Sequence, residues 1–292
     1  MENAWVGLSL LAAFSLATSD AFAKKALAAH NEYLIAWLRL VVALPGLFAI
    51  LLFIPIPPLD KEFFAASLIA LPFEIAAMVL YIKALKVSPL SLTLPFLSLT
   101  PVFLIAVPYL LLGEEISVQG ALGVLLIAAG GYVLNLKEFR KGVLEPFRAI
   151  KRERGSLYMI LVALLFSITS TLGKSAIEHS SPLFFAAAYY TALVMLFTPI
   201  ALYKGREEAR GLLRNGTLKA ALLPGLFHLS MIIAHMIAIS LTKVAYMISV
   251  KRLSLLIGVL YGSLFFGEPN VRERLAGAVM MLAGFALIVL SR

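Results

Sequence analysis

The sequence predicts an all-α integral membrane protein of ten transmembrane helices arranged as two inverted five-helix repeats. Three observations carry this. The chain is 61% hydrophobic with a mean hydropathy of +0.96, well above a soluble domain. Its apolar runs are near 20 residues long, the length of a helix crossing about 30 Å of hydrocarbon, and they are unbroken, which suits helices and not barrel strands. Finally, Gly113-Glu114, Gly123 and Gly130 recur as Gly267-Glu268, Gly277 and Gly284 at a constant offset of 154 residues, and a fixed internal period signals a structural repeat.

The ten predicted spans are 5–23, 33–53, 63–85, 90–112, 116–136, 157–177, 183–203, 218–241, 244–266 and 275–290. The first resembles a secretory signal, with Ala21-Phe22-Ala23 in the place of a cleavage site, but Glu2 and no cation precede it, so a retained helix is expected. Lys24-Lys25-Ala26-Leu27 lines up with Lys174-Ser175-Ala176-Ile177 at an offset of 150, so the second half carries about four extra residues, placed in the 204–217 loop. Five spans per repeat is odd, so the halves enter the membrane in opposite senses, an arrangement that puts a ligand site near the midplane between them. The expected organisation is a first repeat over 1–136, a basic linker over 137–155 and a second repeat over 156–292.

The net charge of +9 is spread through loops and does not call for nucleic acid. Eighteen of the 25 Lys and Arg residues follow spans one, three, five, seven and nine, and four lie on the other face. By the positive-inside rule the eighteen face the cytoplasm, which leaves both termini outside a plasma or inner membrane. The absence of cysteine excludes disulfides, thiolate metal sites and a cysteine nucleophile. GxxxxGK[ST], HExxH and any His cluster with metal spacing are also missing. No catalytic residue, metal or cofactor is expected.

The remaining three cations are Arg39, Lys251 and Arg252. Each Lys or Arg at mid-bilayer costs roughly 2.5 to 3.5 kcal/mol on insertion scales, so the adjacent pair in span nine marks a functional wall. Span four carries Pro89, Pro95, Pro101 and Pro108. Interior prolines free carbonyls that hydrocarbon will not solvate, so this helix is expected to be kinked against a cavity. At offset 154, Ser98 stands opposite Arg252 and Leu97 opposite Lys251, Glu74 opposite His228, and Tyr81 opposite His235. Glu74, an acid at mid-depth, is expected to pair with Arg252 or Lys251, as a structural ion pair or as a substrate or proton site. His228 is a proton-gating or packing residue and His235 a structural one. Tyr246 and Ser254 lie within two turns of the cations, in hydrogen-bond reach of a ligand or simply packed. Asp20 and Arg39 read as snorkelling toward the cytoplasmic interface, with Arg39 retained as a site candidate. Gly120, Gly123, Gly277 and Gly284 give small faces for helix contact, between spans five and ten.

Five segments resemble the drug/metabolite transporter superfamily, in particular its ten-helix EamA-type members: SDAFAKKAL at 19–27, AWLRL at 36–40, KALKVSPLSLTLPFLSLTPVF at 83–103, LLGEEISVQGALGVLLIAAGGY at 111–132 and SVKRLSLLIGVLYGSLFFGE at 249–268. The resemblance implies two inverted halves around a central cavity. Lys251-Arg252 is also similar to the Lys-Arg pair in the ninth helix of phosphate-sugar and nucleotide-sugar transporters of this superfamily, where it holds the substrate phosphate. The further cation those carriers place in the fourth helix is missing, since Leu97 and Ser98 stand there.

The expected function is secondary active transport of a small anionic or zwitterionic metabolite by alternating access. Lys251, Arg252, Glu74, His228, Ser98, Tyr246 and Arg39 are the substrate-binding candidates, and Glu74 and His228 the proton-coupling candidates. Partners are the small-molecule substrate and the lipid bilayer, with protons the candidate coupling ion, no nucleic acid, and the protein a monomer or weak homodimer. A flippase for an anionic lipid-linked head group is the nearest alternative. A membrane enzyme acting on lipid phosphates is the alternative from another class.

Overall fold

The computed structural model describes residues 4–87, 94–135, 154–212, 214–266 and 275–291. Pro89, most of the basic linker and the Gly267-Glu268 pair lie outside them. All elements among the described residues are helical: α1 Ala4–Leu27, α2 Glu32–Leu51, α3 Lys61–Val87, a 3-10 segment Leu94–Leu99 leading into α4 Thr100–Leu112, α5 Val118–Asn135, α6 Arg154–Glu178, α7 Pro182–Lys204, a single turn Arg206–Ala209, α8 Thr217–Leu241, α9 Val244–Lys251, α10 Ser254–Phe266 and α11 Leu275–Leu290. Spans of the predicted length and hydropathy run through α1, α2, α3, α6, α7, α8 and the α9–α10 pair, with shorter apolar helices at Phe96–Leu112, Val118–Leu134 and Leu275–Leu290.

Local chemistry repeats between the halves. The second helix of each begins on a side-chain cap 150 residues apart. Asn31 accepts the N–H groups of Tyr33 and Leu34 at 2.9 and 3.3 Å, and Ser181 accepts that of Phe184 at 3.4 Å, each satisfying donors the helix leaves open. Gly113 closes α4 at φ 68°, with its N–H on Tyr109 O and that of Glu114 on Pro108 O. Left-handed backbone at this position favours glycine.

The packing has the symmetry expected of inverted repeats. The heaviest contacts are α1 with α8, α3 with α6, and α5 with α11. Exchanging the halves turns the first pair into the second and the third into itself. The α5–α11 contact is built on glycine. A Cβ on Gly123 would stand 2.7 Å from Gly284 O, and one on Gly130 2.7 Å from Gly277 O. These are reciprocal contacts related by the 154-residue offset, and the two backbones touch because nothing separates them.

Span nine departs from the single helix predicted over 244–266. It breaks at Lys251-Arg252, where Arg252 N–H is shared between Ile248 O and Ser249 O and Leu255 N–H bonds Arg252 O, a tightened turn between α9 and α10. Span four changes from 3-10 to α between Leu99 and Thr100. Ser254, which starts α10, and Thr100, which starts α4, are 154 residues apart, so the two mates break at one register. Prolines account for the first break. In the second the cations sit at the C-terminal end of α9, where the helix dipole is negative.

Candidate functional site at the broken helices

Lys251 and Arg252 face different partners, as the roughly 100° between successive helical residues requires. The Lys251 ammonium donates to His235 Nδ1 on α8 at 2.8 Å. The Arg252 guanidinium donates to Thr100 Oγ1 on α4 at 2.9 Å, across the two helix breaks. Its Nε has no partner among the described residues.

Two acids face these cations. Glu74 on α3 hydrogen-bonds Thr169 of α6 and lies in the field of Lys251. Among the described residues no ion pair joins it to Lys251 or Arg252; the expected direct pairing is replaced by the Thr169 contact. Asp20 on α1 accepts from Arg39 on α2 at 2.7 Å and interacts electrostatically with both Arg252 and Lys251. The pair expected to snorkel is joined side chain to side chain, with Arg39 25% and Asp20 58% exposed, and Asp20 also lies in the field of Lys251 and Arg252. His228 is 6% exposed. It lies in the fields of Arg39, Lys251 and His235, its ring meets Tyr190 edge-on at 6.3 Å, and its Nδ1 has no partner among the described residues. Tyr190 in turn interacts with Glu74 and Arg39, and Tyr81 with Asp20, Arg39 and Arg252.

The grouping therefore holds Arg39, Lys251 and Arg252 against Asp20 and Glu74. Three cations face two acids, so an ionised set is one negative charge short of neutrality, in a region where a net charge is costly. Unpartnered nitrogens on Arg39, Arg252 and His228 are buried polar groups of the kind native proteins almost always satisfy. An anion meets both needs, and the guanidinium forks suit carboxylate or phosphate.

Two sequence candidates are elsewhere. Tyr246 is turned to the start of α5, where its hydroxyl accepts the Ser117 N–H at 3.3 Å and its ring covers Gly120. Ser98 lies at the break but is 4% exposed and packs on Gly131 of α5. Among the described residues neither hydrogen-bonds a member of the charged grouping. Conversely, Asp20, His235, Thr100 and Thr169 join it. A signal for two of them was present: Asp20 and Arg39 are equidistant from the α1–α2 turn, and His235 and Lys251 from the α8–α9 turn, so an antiparallel hairpin sets each pair side by side.

A second buried lysine has a different role. Lys174, 8% exposed, binds the Glu114 carboxylate and the Thr242 carbonyl, the latter at 2.8 Å. The other Glu114 oxygen accepts Val244 N–H at 3.0 Å and so caps α9. The Gly-Glu motif thus anchors the broken helix from its far end. Among the described residues one group has metal-ligand spacing, Asp60, Glu62 and His179, with ligand atoms within 4.8 Å of one another. Both carboxylates are exposed, and His179 Nδ1 is engaged with Asp60.

Comparison with known proteins agrees with this architecture. No curated protein matches the chain. A solved crystal structure superposes on 100% of this chain and 99% of its own with a TM-score of 0.76 at 14% identity, a likeness that establishes the fold. The pattern of the EamA-like transporter family matches residues 3–136 and again 153–290, one match per repeat, and the chain belongs to that family.

Proposed function

We propose that the protein is a secondary active transporter of a small anionic or zwitterionic metabolite, working by alternating access. The observation that carries this reading is the convergence of Arg39, Lys251 and Arg252 with Asp20 and Glu74 beside two broken helices related by the repeat. Broken helices around a midplane site are the architecture in which one half rocks against the other about a fixed ligand. A carboxylate or phosphate binds the Arg252 and Arg39 forks, while the ammonium group of a zwitterion faces Asp20. Glu74 and His228 hold the exchangeable protons if the cycle is proton-driven. The membrane is a plasma or inner membrane, with both termini outside by the distribution of loop cations.

A lipid-linked head group is the weaker reading. The groove between α1 and α8 is lined by Leu8, Leu11, Leu226, Leu229, Ser230, Ile233 and Ala234, with a volume of about 270 Å³. Its one hydroxyl is engaged with Ser15 at 3.0 Å, so it offers no charge to an anionic head group.

The test is a proteoliposome uptake screen over amino acids, organic acids and sugar phosphates, repeated with Lys251→Ala and Arg252→Ala. Each variant is expected to lose at least about tenfold in uptake, the effect of removing one buried charge contact. Parent-rate transport of the identified substrate by both variants would falsify the site.

A further inference from the structure

Two histidine–carboxylate contacts stand at opposite ends of the bundle, and each ties one repeat to the other. At one end His179, just past α6, donates from Nδ1 to Asp60 Oδ2 at 2.6 Å. Asp60 precedes α3, and its Oδ1 accepts Phe63 N–H at 2.9 Å. At the other end His30, in the turn after α1, donates from Nδ1 to Glu208 Oε1 at 2.6 Å. Glu208 also accepts Asn31 N–H at 2.8 Å and the hydroxyl of Thr217, the first residue of α8, at 2.5 Å. The chain crosses the bundle once with each span, which puts the start of α3 and the start of α8 on opposite faces.

What the contacts hold is also matched. Each seizes the N-terminal tip of a helix with an internal proline, Pro72 in α3 and Pro224 in α8. A proline removes an interior hydrogen bond and is where a helix bends. The tips are residues 61–71 and 217–223, and the charged grouping begins directly beyond them, at Glu74 and at His228. A tip that bends at its proline moves the segment that immediately precedes that grouping in the chain. Side-chain exposures of 38% and 49% for His179 and Asp60, and of 15% and 22% for His30 and Glu208, describe contacts wet enough to be broken and remade in a working cycle.

We propose that these two contacts are the latches of two gates. Release of Asp60 from His179 frees the tip of α3 and opens the central site to the face that carries the termini. Release of Glu208 from the α1–α2 turn, where it holds both His30 and the Asn31 amide, frees the tip of α8 and opens the site to the opposite face. Both contacts are made in this structure. The proposal rests on the alternating-access reading, and it assigns the gates to residues outside the binding site.

The protein has no cysteine, so a single reporter, Glu74→Cys, gives a clean labelling signal with a membrane-impermeant maleimide applied to either face of oriented vesicles. Adding Asp60→Ala is expected to raise labelling roughly two- to fivefold from the face with the termini and to leave the other face unchanged, a population shift of the size a half-exposed ion pair sustains. Adding Glu208→Ala, which removes the contacts to His30, the Asn31 amide and Thr217 together, is expected to do the reverse. His179→Gln, which keeps a donor toward Asp60, labels like the reporter alone and controls for misfolding. Equal labelling from both faces in either release variant, or none in both, overturns the latches. The readout needs no substrate, so failure of the uptake screen with face-selective labelling intact sinks the transport reading and supports the latches.

Discussion

Two lysines buried in the same molecule have opposite consequences when removed. Lys174 neutralises Glu114 and binds the Thr242 carbonyl. Lys174→Met therefore strands a carboxylate that caps α9, and loss of one partner of a buried pair costs about 3 to 5 kcal/mol. A large fall in the melting temperature in detergent, measured by tryptophan fluorescence, is expected. Lys251 instead contacts a histidine, His235, beside Arg252, in a grouping of three cations and two acids. Lys251→Met removes an ammonium that costs roughly 2.5 to 3.5 kcal/mol to place at mid-bilayer. Its melting temperature is expected to hold or rise while uptake collapses, the trade between stability and function that marks a site residue. A Lys251→Met protein that melts as low as Lys174→Met would make Lys251 a structural residue.

At the level of elements, the α5–α11 contact and the two latches make separate claims. Gly130→Ala sets a methyl 2.7 Å from the Gly277 carbonyl, backbone that cannot step aside locally. Overpacking of this kind costs about 1 to 3 kcal/mol. Gly7→Ala, with nothing within 4 Å, is expected to be neutral or to gain up to about 1 kcal/mol from helix propensity. Melting of the two variants side by side checks the pair. The latches carry a pH signature. The Phe63 amide and His179 hold the Asp60 carboxyl below its usual range, and Thr217, the Asn31 amide and His30 do the same for Glu208 against the opposing effect of burial. A carboxyl with a lowered folded pKa stabilises above its unfolded value and loses that stabilisation as pH falls through the lowered one. The difference in melting temperature between the parent and Asp60→Asn/Glu208→Gln is therefore expected to stay constant from about pH 8 to about pH 5 and to shrink below about pH 4. A difference that persists unchanged to about pH 3 would show that neither carboxylate carries the effect. Helix number and type were legible because a 20-residue apolar run has few alternatives in a bilayer. The break in span nine was not, because no proline or glycine marks Lys251-Arg252 and its register follows from the repeat mate. Asp20 was hidden by its nearness to Lys24 and Lys25, which made it look interfacial, and His235 by a partnership that only hairpin register reveals.

For the whole molecule, inversion of the two halves makes the faces distinguishable by charge alone. The residues after spans one, three, five, seven and nine carry eighteen cations against four on the other side, and such an imbalance during insertion fixes which loops stay in the cytoplasm. The α1–α2 turn with His30 and the α7–α8 connection with Glu208 lie on the cation-rich face, while Asp60, His179 and both chain ends lie on the other. Cysteines placed singly at Lys25 and at Asn215 are expected to react with an impermeant maleimide only after the membrane is permeabilised, and one at Glu178 to react in intact cells. Because the repeats are related by a twofold axis in the membrane plane, an inserted molecule of the opposite sense would keep the same internal contacts, the same site and the same pair of latches. Reversal of the labelling pattern would thus move the gate at α3 to the cytoplasm and the gate at α8 outside. Only the loop cations break that equivalence, and Gln replacement of the five cations Lys204, Arg206, Arg210, Arg214 and Lys219, which leaves every latch residue in place, is expected to increase the fraction of chains with the reversed pattern.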